Sequence, residues 1–276
     1  MMRSLWTAAS GMRAQQVNVD TIANNVSNIN TIGYKTQQAS FKSLLYQNLQ
    51  SKSTNNAGEN KPVPAEVGLG TRVAAITSNF TKGNLTATED AFSIAIDGDG
   101  FFQVRTPNGD LQYTRDGSFI VSPVADGNML CTSDGDPVMD VNGNSIVLPN
   151  THVATEMVVN QDGTIAFPDE TGNPVVMTDA NGQPIRFGIY QFNNPAGLYK
   201  EGGNRFSVTT ASGDAISETG GANLKQSRIV QYYTEASNVD VANEMVNLIV
   251  AQRAYEMNSK AIQASDEIMQ QANNLR

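Results

Sequence analysis

Residues 239–269 read VDVANEMVNLIVAQRAYEMNSKAIQASDEIM. Val241, Leu248, Tyr255, Ile262 and Met269 fall every seventh residue, with Met245 and Gln252 at the first alternate positions, the spacing of an a/d seam along one long helix. The other end of the chain carries a matching stripe. Leu5, Met12, Val19 and Val26 recur at the same interval, and Ala8, Gln15, Ile22 and Ile29 stand three places after each. At a rise of ~1.5 Å per residue, residues 3–30 make a rod of ~40 Å and residues 239–275 one of ~55 Å. Helices this long with a single apolar stripe need a cover for it. Burying a large seam residue contributes ~1.5–3 kcal/mol while ordering each residue costs ~1–2, so the thin first stripe calls for contacts beyond its own. Neighbouring subunits would supply them. The alternative is a helical hairpin within one chain, and the pattern alone leaves both open.

Everything between the ends is written differently. From Gly70 to about Tyr233 turn dipeptides recur: Asp97-Gly98, Asp99-Gly100, Asn108-Gly109, Asp116-Gly117, Asp126-Gly127, Asp134-Gly135, Asn142-Gly143, Asp162-Gly163 and Asn181-Gly182. Each is a hairpin signal. Between them run short strand candidates at Phe92–Ile96, Phe101–Arg105, Ser118–Val121, Ser145–Leu148, Ile185–Phe192 and Phe206–Thr210, with no βαβ rhythm. The predicted fold class is therefore α+β, with long N- and C-terminal helices forming a coiled-coil layer and a mostly antiparallel β centre. Asn30-Thr31-Ile32-Gly33 reads as the stop of the first helix, with Gly33 free to take positive φ. Tyr34 to Gln50 reads as a short helix or hook of chain, and Ser51 to Pro64, without apolar periodicity, as a long exposed loop. Ser237 or Asn238 is placed to cap the last helix, with Asp240 in its first turn.

Composition narrows function. Of 276 residues only 16% are charged against 39% hydrophobic, and the net charge is -9. No run of Lys or Arg could neutralise successive phosphates, which argues against nucleic-acid binding. The charge is uneven: residues 1–50 hold Arg3, Arg13, Lys35 and Lys42 against Asp20 alone, a net of +3, which leaves -12 on residues 51–276. A weakly basic end and an acidic remainder attract each other within the limits of screening. No stretch reaches the ~20 apolar residues that span a bilayer, and the first twenty residues lack the apolar core and cleavage site of a secretory signal. Taken alone, this reads as cytoplasmic and not membrane-spanning.

Catalytic patterns are weak. Asp97, Asp99 and Asp116 could be the paired carboxylates of a glycosidase on a β scaffold, but Asp before Gly is what tight hairpins prefer. Asp140-Val141-Asn142-Gly143-Asn144 opens like a calcium loop, yet Ser145 and Thr151 occupy positions that need Gly and Glu. A turn explains it better. With one cysteine, Cys131, and one histidine, His152, neither a zinc site nor an activated nucleophile is predicted. The expectation is no catalytic residue, no metal and no cofactor.

Three groups of residues carry a family resemblance. Ser4-Leu5-Trp6, the run Gln15 to Asn28 and Asn30-Thr31-Ile32-Gly33-Tyr34-Lys35 resemble the N-terminal signature of the bacterial flagellar rod and hook proteins. Ala95 to Val104 and Tyr113 to Phe119 are similar to that family's central strand pattern, and Glu235 to Asp240, Glu244 to Ile249 and Gln252 to Glu256 to its C-terminal one. Within the family the length and the stretch Tyr46 to Pro64 are most similar to the straight distal rod rather than the curved hook, while Asp126 to Asp140 and Pro168 to Pro184 depart from the pattern. A proximal rod or hook-type paralogue is the alternative, and a carbohydrate-active β domain on a coiled-coil stem a more distant one.

The resemblance implies a structural subunit that polymerises into the rod and transmits torque, with itself as a helical homopolymer, other rod and hook proteins and the type III export apparatus as partners. It also implies passage across the inner membrane without a cleaved signal, which changes the reading of location from cytoplasm to basal body. Phe41-Lys42-Ser43-Leu44-Leu45 is similar to an export motif, with Phe41 and Leu45 as its apolar positions. The implied divisions are 1–45 for N-terminal assembly, 46–69 for a rod-type loop, 70–233 for the β centre and 234–276 for C-terminal assembly. The expected assembly seam comprises Leu5, Met12, Val19, Ile22, Val26, Ile29, Val241, Met245, Leu248, Tyr255, Ile262 and Met269.

Overall fold

A computed structural model describes residues 2–50, 53–54, 60–61, 65–125, 127–169, 173–179, 182–219 and 224–274. The chain divides into two units, one of residues 1–27, 37–78 and 240–276, the other of residues 28–36 and 79–239.

The first unit holds two helices, α1 (Met2–Ser27) and α2 (Val241–Asn274). They pack on each other in antiparallel sense: Ser4 Oγ lies 3.4 Å from Ser265 Oγ, Gly11 lies against the Asn258 amide, and Asn25 Nδ2 donates to Glu244 Oε2 at 3.3 Å. Each step of seven residues forward on α1 is a step of seven backward on α2, the heptad relation of paired helices. The helical hairpin left open by the sequence is thus present within one chain. α2 starts two residues later than the stripe suggested because its cap is Asp240, whose Oδ1 accepts from the backbone of Ala242 at 3.0 Å and Asn243 at 3.4 Å. Asn238, one of the two expected caps, is engaged elsewhere, accepting from the Thr36 backbone N–H and hydroxyl, both at 2.7 Å.

The short helix expected within residues 34–50 does not form. Gln37–Ser43 is a strand, antiparallel to Thr71–Ser78, and Tyr46–Gln50 pairs with Ala65–Gly68. Pairing with a segment distant in sequence outweighs the local 3–4 spacing of Phe41, Leu44, Leu45 and Leu49. The loop expected at Ser51 to Pro64 is, in its described residues, part of the same arm: Ser53–Thr54 pairs with Asn60–Lys61. Residues 51–52, 55–59 and 62–64 lie outside the described ones. Tyr46 to Leu49 are exposed, as are Ala65 and Glu66, and strands wet on both faces have no reason to alternate.

The second unit is β. Its largest sheet runs, in spatial order, Tyr199–Gly202, Arg205–Ser207, Leu111–Thr114, Phe101–Arg105, Ile189–Gln191 and Ile216–Ser217, every pairing antiparallel. The strand Phe101–Arg105 carries both cores because successive side chains point to opposite faces. Phe102 and Val104 enter a cluster with Ile94, Phe119, Leu130 and Phe187, while Phe101 enters one with Tyr113, Phe192, Leu198 and Phe206. The aromatic pairs are mostly edge-to-face, such as Phe102–Phe119 at 5.1 Å and Tyr113–Phe192 at 5.0 Å. Of the turn glycines, Gly109, Gly127, Gly135, Gly143, Gly163 and Gly182 take positive φ. Gly117 is different: a Cβ there would lie 1.6 Å from the Ile94 carbonyl oxygen, so its side-chain hydrogen admits a neighbouring backbone.

Candidate assembly site

The seam between α1 and α2 is more polar than its apolar stripes implied. Ile22 is buried, and Leu5, Met12, Val19, Val26, Leu248, Ile262 and Met269 are half-buried, as is Ile29, which lies past the end of α1. Val241, Met245 and Tyr255 are exposed. Facing α1 in place of Met245 and Gln252 are Glu244, Ala251, Asn258 and Ser265, themselves spaced by seven. That set was legible as a repeat, but its polar and small members carry no hydrophobic signal. Asn25 is the most engaged member. Its amide donates to the Gln37 carbonyl at 2.8 Å and accepts from the Gln37 N–H at 2.9 Å, tying α1 to the strand that follows it.

Away from α1, α2 presents Val246, Val250, Met257 and Ile268, which are 59%, 63%, 65% and 51% exposed. Their spacing of four, seven and eleven residues keeps them on one face. Trp6 on α1 is 74% exposed. Phe41 sits on the strand Gln37–Ser43 with 38% of its surface exposed, and Leu45 just beyond it with 82%.

In the β unit the chain's return from the first helix is fastened to the lead into the second. Glu235 accepts from Lys35 Nζ at 2.7 Å, Arg115 Nη1 at 3.2 Å and the Gly83 N–H at 2.8 Å, and its carbonyl accepts from the Gly33 N–H at 2.8 Å. All three charged side chains are about fully buried, and the Arg115 guanidinium lies 5.0 Å from the centre of the Phe101 ring. Burial holds the Lys35 ammonium below its ordinary pKa, with the Arg115 charge adding to the effect and Glu235 opposing it. Gly33 has φ 70°, and a Cβ there would meet the backbone of Arg115 and Asp116 below 3.0 Å, so its conformation serves this junction and not a helix cap.

Of the carboxylates considered for catalysis, Asp97 and Asp116 are occupied otherwise. Asp97 pairs with Lys82 at 2.6 Å, which lowers its pKa, and Asp116 accepts from the Ser118 N–H and hydroxyl at 2.9 and 2.6 Å while burial raises its pKa. Asp140 Oδ1 accepts from the backbones of Asn142 and Asn144 at 2.7 and 2.9 Å, the bonds of a tight turn. His152 stacks on Phe167 at 5.0 Å. Among the described residues no helix is long and apolar enough to cross a membrane.

Paired terminal helices with an uncovered apolar face, attached to an antiparallel β unit, define an α+β protein whose distinctive surfaces lie on helices and not in a cleft. Known proteins agree with that class. The family model described as flagella basal body rod protein matches residues 5–35, that of the flagellar hook protein FlgE/F/G D1 domain residues 95–167, and that of the flagellar basal body rod FlgEFG protein C-terminal residues 230–275. The flagellar basal-body rod protein FlgG of Borreliella burgdorferi is 43% identical over 100% of this chain and 99% of its own length. Those of Caulobacter vibrioides and Bacillus subtilis are 37% and 33% identical, over the full length of both chains. The chain belongs to the flagellar basal-body rod protein family.

Proposed function

We propose that the protein is the structural subunit of the distal rod, polymerising through its terminal helices and transmitting motor torque to the hook. The observation that carries the reading is the apolar face of α2 formed by Val246, Val250, Met257 and Ile268, which its own chain leaves uncovered. Water-exposed apolar residues on one helix face mark an interaction surface. In this reading the helices of successive subunits form the inner coiled-coil layer, and the apolar seam residues, Val241, Met245 and Tyr255 among them, complete their burial between copies. In the same reading the stretch Tyr46 to Pro64 stiffens contacts between subunits.

Torque transmission then requires no bond to be made or broken, only many repeated interfaces resisting shear. Export through the type III apparatus, with Phe41 and Leu45 as part of the address, belongs to the same reading. Because the D1 family model is shared by FlgE, FlgF and FlgG, a proximal rod or hook-type role is the second reading. Electron microscopy of the concentrated full-length protein tests the proposal: straight tubes are expected, curved tubes would favour the hook role, and a persistent monomer would overturn polymerisation.

A further inference from the structure

α2 carries a second heptad row. From Val250, the apolar residues Ala254, Met257, Ala261, Ala264 and Ile268 follow at alternating steps of four and three. At ~100° per residue this row lies about a quarter-turn round the helix from Glu244, Ala251, Asn258 and Ser265, the side chains turned to α1. Val250, Met257 and Ile268 are each more than half exposed. The alanines between them let another helix come close, since the distance between packed helices follows the side chains at the contact.

About a quarter-turn in the other direction, the helix pair is grooved. Gln16 and Val19 of α1 and Gln252, Tyr255 and Glu256 of α2 line this groove. Met12 continues the Val19 row and Met245 the Gln252 row, each at an interval of seven. Met12 and Val19 are half-buried, while Met245 and Tyr255 are 57% and 42% exposed. The apolar row and the groove thus stand back to back on α2. Charge follows the same division on the surface of α2 turned from α1: Arg253 and Lys260 border the row, and Glu256 and Glu267 border the groove. Arg253 and Glu256 meet at 2.9 Å in exposed positions, and neither Lys260 nor Glu267 makes an ion pair among the described residues.

We propose that the apolar row of α2 in one copy seats in the groove between α1 and α2 of a second copy, its large side chains covering Met12, Val19, Met245 and Tyr255. The inference deepens the polymerisation reading and rests on it. Charge complementarity points to this occupant, because the contact brings the Arg253 and Lys260 border of one copy beside the Glu256 and Glu267 border of the other. Since the two faces differ and stand back to back, each copy offers its row to one neighbour and its groove to the next, and the array stays open rather than closing as a dimer. Salt screens the two borders and raises the polymerisation threshold.

The test mixes two variants of the full chain. Val250→Asp with Met257→Asp blocks the row and leaves the groove, whereas Met245→Asp with Gln252→Asp blocks the groove and leaves the row. Each alone is expected to raise the threshold concentration for polymer by about tenfold or more. Mixed in equal amounts where neither associates alone, the two are expected to stop at a heterodimer in sedimentation velocity, because one intact row meets one intact groove. A mixture that stays monomeric or polymerises, or a single variant that dimerises by itself, overturns the docking while a polymerising wild type leaves polymerisation intact. A wild type that stays monomeric overturns both. If circular dichroism finds these variants unfolded, reversal of the exposed charges decides. Arg253→Glu with Lys260→Glu, and separately Glu256→Lys with Glu267→Lys, are expected to raise the threshold about tenfold, and the chain carrying all four to return to within about threefold of the wild type. Double variants without effect, or a fourfold variant that does not recover, overturn the contact.

Discussion

Asn25 and Glu244, 219 positions apart in the chain, meet at the seam of the two helices, with Asn25 Nδ2 donating to Glu244 Oε2 at 3.3 Å. Both side chains are buried, and a buried polar pair between helices tolerates only one register, since a shift of one turn would leave each without a partner. Asn25 also closes two bonds with the Gln37 backbone, so one side chain fixes α1 against α2 and against the following strand.

Asn25→Ala removes these three interactions and takes away the side-chain partners of the Gln37 N–H and C=O. The expected loss of stability in the helical unit is about 2 kcal/mol, read as a lowered urea midpoint for the helical signal. A loss within error would mean that water replaces the amide.

The face of α2 turned from α1 separates assembly from folding. Val250→Asp is expected to change monomer stability by no more than about 0.5 kcal/mol, because Val250 is already exposed, while raising the polymerisation threshold by about tenfold. Leu248→Asp, on the half-buried side, is expected to weaken the helix pair itself and reduce helicity on circular dichroism, with the β unit still folded. Equal effects of the two substitutions on assembly and on helicity would contradict this division.

Glu235 is the countercharge shared by two buried cations. Glu235→Gln leaves Lys35 and Arg115 without a countercharge and is expected to cost about 3–5 kcal/mol in unfolding of the β unit.

Lys35 makes that unit sensitive to alkaline pH in a defined direction. Its folded pKa lies below the ordinary lysine value of 10.5, so between the two values the unfolded chain binds more protons and stability rises with pH. Below the folded value the cost of burying the charge is fully present. Comparing urea midpoints of the wild type and Lys35→Met through the interval up to pH ~10.5 should show a rise in the difference, wild type minus variant. A flat or falling difference would refute the assignment.

Asp240→Ala is expected to cost about 1 kcal/mol through loss of the α2 cap, whereas Ser237→Ala should cost far less, because Ser237 Oγ only accepts from the Val239 N–H at 3.3 Å. Thermal melts of the two variants compare them directly.

The heptads of Leu5 to Ile29 and Val241 to Met269 were readable as two long helices, and Phe101-Phe102-Gln103-Val104 between Asp-Gly turns as a strand, because periodicity and turn chemistry are local properties. The flagellar family followed from the same residues. Only the folded chain decided that Glu244, Asn258 and Ser265 face α1 while Val246, Val250 and Met257 do not: several faces of α2 carry apolar residues, and the choice rests on Asn25, Gly11 and Ser4 far away in sequence. The same holds for the described residues between Tyr46 and Gly68, where pairing makes strands that no buried face writes into the sequence, and for Glu235, whose cationic surroundings are assembled from residues near 35, 83 and 115. Local pattern determines what each segment can become. The long-range partners that satisfy its polar groups determine which face it buries.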